Sequence, residues 1–277
     1  MPTQGVTVVL GSGGARGLAH IGALSALEEL CVPIHAIVGC SIGAEIGAFY
    51  AAGISPSQMQ EQARKTTWWL QARLFWPDFS RTGVTRGKRI ERFLYNHLGD
   101  RRIETFPIQY ACIATDLQTG EQVVLDHGHA VSAVRASISM PFMLTPFTID
   151  GHILVDGAIS NPLPVSVART LFSTPIIAIQ THGTEFLRQN AQHTATNRHM
   201  IQVYRRTGCL MQWNIAQTKL SENPPDLLIA PYAPGIDTFD FHKADISLGV
   251  GYDAVMAQAP EIIKLISPRQ RLSSTRG

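Results

Sequence analysis

The first fifty residues of the chain alternate short apolar runs with glycine-rich turns and helical patterns. The run Val6–Leu10 ends in the turn GSGG, and leucine or isoleucine then recurs every three residues, as on one face of a helix. A second apolar run at 34–38 ends in GCSIG, and a helical stretch at 44–52 follows. This order is typical of a parallel sheet with right-handed crossovers. We therefore predict an α/β fold of three layers, with a mainly parallel central sheet flanked by helices.

The rest of the chain continues this alternation without a break in composition, a repeat or a low-complexity linker. Apolar runs predict further strands, and amphipathic stretches predict helices that include 89–98, 130–139 and a long one at 197–220. We expect one domain over residues 1–266, with the motifs described below between residues 6 and 165. Residues 267–277 are polar and basic and are expected to form a frayed tail.

Composition and charge narrow the classes of function. The formal net charge of +2, without a basic stripe that carries aromatic residues, argues against nucleic-acid binding. The four cysteines have no C-x-x-C spacing, so neither a zinc site nor a disulfide framework is expected. Three of them, Cys31, Cys40 and Cys112, lie in apolar stretches that predict buried, reduced thiols.

The amino terminus has no basic and apolar signal pattern, and no uncharged apolar run approaches the ~20 residues that span a bilayer. We therefore expect a cytoplasmic protein that is soluble or peripheral to the inner face of the membrane.

The turn Gly39-Cys40-Ser41-Ile42-Gly43 between a predicted strand and a predicted helix is a candidate nucleophile turn. A serine presented there needs a strained backbone, and the residues two before and two after crowd each other, so both must be small. The positive end of the following helix favours a developing oxyanion. The alternative is a serine that caps a buried helix, with glycines for tight packing.

A glycine-rich stretch, GSGGARG at residues 11–17, stands between the first strand and the first helix. Adjacent amides at Gly13 and Gly14 can converge on one point, as in an anion nest or an oxyanion hole, and Arg16 adds a positive charge. Two alternatives are a structural turn and a dinucleotide fingerprint. The fingerprint fits poorly because Arg16 occupies its third glycine position and no acidic residue ends the second strand. A Walker loop is excluded, since no G-K-[ST] follows.

A third stretch, Asp156-Gly157-Ala158, follows a short apolar run. The glycine lets the backbone turn sharply after a carboxylate that would accept the proton of Ser41, and the alternative is an ordinary Asx-turn. A triad would also need a histidine after the acid, and none of the four stands in a recognisable turn: His182, His193, His199 and His242. His20, on the first helix, is expected to be a packed or surface residue.

Taken in this order, the three stretches resemble the patatin-like phospholipases, especially compact bacterial members related to the neuropathy-target-esterase branch. The resemblance runs from residue 8 to about residue 164 and includes GSGGARGLAHIG, GCSIG, the segment RASIS followed by proline, and DGA followed by Asn-Pro. One departure is Ser12, which replaces the first of the three glycines usual in the family.

The resemblance implies a Ser-Asp dyad, with Ser41 as nucleophile and Asp156 as general base. It also implies that the backbone amides of Gly13, Gly14 and Arg16 form the oxyanion hole, with Gly39, Gly43 and Gly157 as supporting glycines. The implied activity is hydrolysis of phospholipid or other fatty-acyl esters through an acyl-enzyme, without metal or organic cofactor. The alternatives are a small-ester esterase or thioesterase, and a catalytically idle lipid-binding regulatory protein.

A tryptophan-rich segment at 66–79 is the last candidate feature. It contains Trp68, Trp69 and Trp76, three of the four tryptophans in the chain, among arginines and lysines. This composition suits a membrane interface, and equally a segment packed on the sheet. Our hypothesis is a lid or docking patch over Ser41 that brings the protein into peripheral contact with a membrane.

Overall fold

The computed structural model describes residues 5–65, 85–181, 200–233 and 235–267. The tryptophan-rich segment with Trp68, Trp69 and Trp76 lies outside these residues, as do His182, His193, His199 and nearly all of the predicted tail. The single-domain assignment over residues 1–266 stays a prediction.

Within the described residues, the centre of the fold is one sheet of eight strands: β1 Val6–Leu10, β2 Ile34–Cys40, β3 Gln109–Asp116, β4 Gln122–Leu125, β5 Phe147–Ile149, β6 His152–Asp156, β7 Ile176–Ile179 and β8 Leu227–Ile229. Their order is β5-β6-β3-β2-β1-β7-β8, and β4 also pairs with β3. The neighbours from β3 through β2, β1 and β7 to β8 run parallel, whereas β4 and β6 run antiparallel to β3, and β5 antiparallel to β6. The predicted α/β fold with a mainly parallel sheet is confirmed.

Helices cover the sheet and connect its strands. They are α1 Ala19–Glu29, α2 Ile42–Ala51, α3 Pro56–Lys65, α4 Lys88–Leu98, α5 Ala130–Ser137, α6 Val165–Leu171, α7 Met200–Glu222, α8 Ala244–Met256 and α9 Ala259–Ile266. Of these described helices, none is both long enough and apolar enough to cross a membrane.

Alternate side chains of the buried strands enter two apolar layers, one on each face of the sheet. Val8 and Leu10 of β1 pack in the larger layer with α1, α2 and α8, while Val9 packs in the smaller layer with α6. Burial of both faces explains why β1 is continuously apolar rather than alternating. Cys40 and Cys112 are buried as predicted, but the prediction for Cys31 is wrong: it is exposed in the turn after α1, where its φ is 53°.

Candidate active site

The predicted site residues lie at the carboxyl end of the parallel strands. β1 runs into the glycine loop, which we define as residues 11–17, and β2 runs into Ser41. On β3, Ile113 pairs with Cys40 of β2, and the next residue, Ala114, pairs with Asp156 of β6. Because β4 pairs with the other edge of β3, Ser41 and Asp156 stand at nearly the same level of the sheet along one edge of β3, where the ends of β2 and β6 meet.

Ser41 joins β2 to α2 with a backbone conformation that few side chains adopt. Its φ is 55° and its ψ is −124°. A Cβ on Gly39 would lie 2.5 Å from the carbonyl oxygen of Gly43, and a Cβ on Gly43 would collide with the carbonyl of Leu10. The turn thus has the strain and the crowding that a nucleophile turn requires. The Ser41 hydroxyl makes no capping hydrogen bond to α2, so it does not serve as the helix cap.

The hydroxyl of Ser41 instead points at Asp156. Ser41 Oγ donates to Asp156 Oδ2 over 2.6 Å, and the Ala158 amide donates to Oδ1 over 2.8 Å. Asp156 is only 5% exposed, and the carbonyl of Ile113 leaves no space for a Cβ on Gly157, which lets the chain turn there. A direct serine–carboxylate hydrogen bond is the geometry needed for proton transfer between them.

Burial raises the pKa of Asp156 from its ordinary 3.8 to about 6. Desolvation is the main cause, and the hydrogen bonds from Ser41 and Ala158 act in the opposite direction because they favour the carboxylate. A carboxyl with this pKa is ionised at neutral pH, yet it is a stronger base than an exposed aspartate.

The segment 135–139 supports both partners of this hydrogen bond. The Ser41 amide donates to Ser137 Oγ over 3.0 Å, and the Asp156 amide donates to the carbonyl of Ser139 over 3.0 Å. Ser137 and Ser139 are both fully buried. In the sequence, this segment contributed only to the family resemblance, and no role was expected for Ser137, whose partner lies 96 residues away.

Arg135 holds this segment in place from inside the protein. Its guanidinium donates to Ser139 Oγ over 2.6 Å and to the carbonyl of Arg86 over 3.1 Å, and it lies 3.3 Å from the Glu91 carboxylate. Ser139 Oγ in turn donates to the Arg135 carbonyl. A fully buried arginine needs such partners, because an uncompensated charge in the interior is strongly destabilising.

The glycine loop lies against the Ser41 turn. A Cβ on Gly17 would collide with the side chain of Ile42, the residue after Ser41, and a Cβ on Gly43 would also approach the Gly11 carbonyl. Within the described residues, the amides of Gly13 and Gly14 donate no hydrogen bond, whereas the next amide, that of Ala15, donates to the Thr238 carbonyl. Two adjacent amides without an acceptor, in a loop that packs against the Ser41 turn, are suited to receive an anion.

Arg16, the third residue assigned to the oxyanion segment, is buried. Its side chain reaches away from the loop to the Ile236 carbonyl, at 3.4 Å, and to Cys209 Sγ, at 3.9 Å. Arg16 is the third residue of the short 3₁₀ helix Gly14–Leu18. In such a helix, backbone amides donate to carbonyls three residues earlier. The predicted backbone role of Arg16 stays a prediction.

No histidine in the described part of the chain hydrogen-bonds to Ser41 or Asp156. His20 is the histidine nearest in sequence to the glycine loop; its Nε2 lies 2.8 Å from the Gly11 carbonyl. Burial lowers its pKa to about 4, so its ring is neutral at physiological pH and Nε2 donates this hydrogen bond. His242, the one described histidine after Asp156, is exposed.

One acidic residue on the helix that follows Ser41 was not among the predicted site residues. Glu45 lies in the first turn of α2, four residues after Ser41, and desolvation raises its pKa to about 7. The available signal was a single acidic residue in an otherwise apolar helix. In the described residues, no group of three His, Cys, Asp or Glu side chains is arranged to hold a metal.

Comparison with known proteins found relatives that are longer than this chain. An uncharacterized NTE family protein of Mycobacterium tuberculosis is 35% identical over 216 residues, which are 78% of this chain and 60% of that protein. Lysophospholipase NTE1 of Saccharomyces cerevisiae is 30% identical over 274 residues, which cover 90% of this chain and 16% of the yeast protein.

Two solved structures share the fold. VipD from Legionella pneumophila aligns over 94% of this chain and 67% of its own, with a TM-score of 0.51 and 11% identity. ExoU from Pseudomonas aeruginosa, in its complex with SpcU, aligns over 96% of this chain and 54% of its own, with a TM-score of 0.51 and 13% identity.

The family model described as patatin-like phospholipase matches residues 8–169, more than half of the chain. The match includes the glycine loop, the Ser41 turn, the segment 135–139 and Asp156, which the fold gathers at one end of the sheet. The resemblance expected from the motifs is confirmed: the chain belongs to the patatin-like phospholipase family of lipid acyl hydrolases.

Proposed function

We propose that this chain is a serine lipid acyl hydrolase of the phospholipase A or lysophospholipase type, with Ser41 and Asp156 as its catalytic dyad. The observation that carries the proposal is the 2.6 Å hydrogen bond from Ser41 Oγ to Asp156 Oδ2, made from a strained turn. A serine that only caps a helix needs neither the strain nor the buried carboxylate.

In the first half of the reaction, Asp156 takes the proton of Ser41 as Oγ attacks the ester carbonyl. The carbonyl oxygen becomes an oxyanion, which the Gly13 and Gly14 amides stabilise, with the Arg16 amide as the third member of the segment. Asp156 then gives the proton to the leaving alcohol, and the acyl group stays on Ser41. A base with a pKa of about 6 is suited to both transfers near neutral pH.

In the second half, water replaces the alcohol. Asp156 takes a proton from the water as it attacks the acyl-enzyme, and the same amides hold the second oxyanion. Collapse breaks the bond to Ser41 Oγ, which recovers its proton from Asp156, and a fatty acid leaves. Every proton transfer uses the dyad, and no step draws on a metal or an organic cofactor.

The substrate we propose is a fatty-acyl ester such as a phospholipid or a lysophospholipid. The family supports a lipid ester, and the yeast relative is named a lysophospholipase. Membrane contact through Trp68, Trp69 and Trp76 stays a hypothesis. A blue shift of tryptophan fluorescence on adding anionic vesicles would support it, and an unchanged spectrum would count against it.

Labelling with a fluorophosphonate, measured by intact mass, tests the dyad. We expect one adduct on the parent protein, none on Ser41→Ala, and greatly slowed labelling of Asp156→Ala. Ser132→Ala and Asp116→Ala are matched controls, because both side chains hydrogen-bond elsewhere, and they should label like the parent. A folded parent that stays unlabelled would refute the proposal and favour an idle lipid-binding protein.

Comparison of substrates then separates the related activities. Hydrolysis of phospholipid vesicles or lysophospholipid micelles above the rate for short esters and acyl thioesters supports the lipid assignment. A preference for the short substrates would instead identify a small-ester esterase or thioesterase.

A further inference from the structure

Thr181, just beyond the end of β7, has no part in the reaction described above. Its side chain is 3% exposed, and its hydroxyl donates to the carbonyl of Ser12 in the glycine loop over 2.6 Å. The two residues are 169 positions apart in the sequence, and no local motif marks Thr181. This short, buried hydrogen bond ends on the peptide unit that precedes Gly13.

That peptide unit also contains the Gly13 amide. In a planar trans peptide, the carbonyl oxygen and the amide hydrogen point in opposite directions. When Thr181 holds the Ser12 carbonyl, the Gly13 N–H is therefore turned away from Thr181. Glycine has no side chain to restrict its backbone, so the direction of this amide depends on an outside contact.

The fit between Thr181 and Gly13 is close. A Cβ on Gly13 would collide with Thr181 Oγ1, so only glycine lets the hydroxyl reach the carbonyl. Donation to the carbonyl also polarises the peptide unit and makes its N–H a stronger donor.

We propose that Thr181 is a positioning residue of the oxyanion hole, which aims the Gly13 amide at the developing oxyanion by holding the Ser12 carbonyl. This proposal rests on the proposed function. The expected contribution appears in the transition state, because the oxyanion forms only there, and so removal of the hydroxyl should lower kcat rather than raise KM.

A purely structural role would be to fasten the glycine loop to the sheet. Two other hydrogen bonds also attach the loop: the Gly11 amide donates to the Ile179 carbonyl over 3.1 Å, and the Ser12 amide donates to the Pro162 carbonyl over 2.9 Å. Loss of the Thr181 hydroxyl therefore leaves the loop attached. Thr181→Val is expected to fold.

The experiment compares Thr181→Val, which keeps the shape but loses the donor, with Thr181→Ser, which keeps the donor. Thr7→Val is the matched control, because Thr7 is equally buried and its Oγ1 lies 2.6 Å from Thr174 Oγ1, at the far end of β1. The readouts are kcat and KM on a soluble p-nitrophenyl ester and the rate of fluorophosphonate labelling.

Loss of a whole oxyanion donor lowers kcat by about 10²–10³, and a misaimed donor should lose part of that. We expect kcat of Thr181→Val to fall roughly 10–100-fold with KM within about twofold of the parent. The labelling rate should fall in parallel, since the phosphonyl oxygen uses the same hole. Thr181→Ser and Thr7→Val should stay within about threefold of the parent.

Three results would overturn the proposal for Thr181 alone, provided the parent is labelled: an unchanged kcat in Thr181→Val, equal losses in Thr181→Val and Thr181→Ser, or the same loss in Thr7→Val. A parent that neither labels nor hydrolyses esters would overturn the proposed function and, with it, the role of Thr181. The two failures are therefore distinguishable.

Discussion

Replacing Asp156 by asparagine should abolish activity and yet stabilise the protein at neutral pH. Asparagine has nearly the shape of aspartate and can accept from the Ala158 amide while its own amide donates to Ser41 Oγ. What the substitution removes is a charge held in a site that is 5% exposed. A buried carboxylate is unfavourable unless it is fully compensated, so the proposed catalytic base destabilises the folded state.

The raised pKa sets the size and the sign of this effect. Asp156 titrates at about 6 in the folded protein, against 3.8 for the ordinary group. The folded state holds the proton more tightly, so the destabilisation is absent below the unfolded pKa, grows as pH rises, and is complete above the folded pKa. The difference of roughly two pKa units corresponds to about 3 kcal/mol at pH 7 and about 1.5 kcal/mol at pH 5.

Urea unfolding of the parent and of Asp156→Asn, at pH 5 and at pH 7, measures how much the charge of Asp156 destabilises the folded state. We expect the free-energy advantage of the variant to grow by about 1.5 kcal/mol from pH 5 to pH 7. Other titrating groups, such as Glu45 and His20, are common to both proteins and cancel in the difference.

Asp116→Asn is the control with the opposite sign. Hydrogen bonds from the His152 side chain and from the Gln118 and Thr119 amides hold the pKa of Asp116 below its usual value. Its charge therefore stabilises the folded state, and this substitution should destabilise the protein at both pH 5 and pH 7. An advantage of Asp156→Asn that does not grow with pH would refute the assignment of a raised pKa to Asp156.

The remaining predictions concern activity and the supports of the dyad. Because Asp156 must be ionised to act as a base, kcat/KM for a soluble ester should fall about tenfold per pH unit below pH 6; a flat pH profile down to pH 5 would contradict this. Ser137→Ala removes the acceptor of the Ser41 amide. It should slow fluorophosphonate labelling and lower the free energy of unfolding by about 1–2 kcal/mol, whereas the control Ser132→Ala, on the same helix, should label like the parent. Gly43→Ala brings a methyl group against the carbonyl of Leu10, the last residue of β1. The free energy of unfolding, measured in urea, should therefore fall by about 2 kcal/mol or more. A variant as stable as the parent would show that the turn tolerates a side chain.

The parts of the fold that follow local rules could be predicted from the sequence. Continuous apolar runs, glycine turns and helical periodicity located β1, β2, α1 and α2, because burial on both faces of a sheet leaves a local imprint. The hairpin of β5 and β6 has a weaker sequence pattern. β5 has three residues, and its pairing, like the antiparallel place of β6 beside β3, is set by distant partners.

In the candidate site too, local sequence predicts some features, and distant residues determine others. Ser41 and Asp156 could be named from their turns, but the hydrogen bond between them spans 115 positions and the one from Ser41 to Ser137 spans 96. Thr181 left no sequence signal at all, since a single threonine after an apolar strand is ordinary. Such partners are fixed by topology, which brings the strand ends together whatever lies between them in the chain.

The support of both dyad members by one segment has a mechanical consequence. Ser137 holds the amide of Ser41, and two residues later the Ser139 carbonyl holds the amide of Asp156. A small shift of the end of α5 would therefore carry both backbones in the same direction and leave the distance between hydroxyl and carboxylate nearly unchanged. Buried Arg135 bonds to Ser139 and to the backbone at Arg86, so it resists larger shifts. The segment 135–139, whose sequence showed only a family resemblance, thus keeps the proposed nucleophile and base in register.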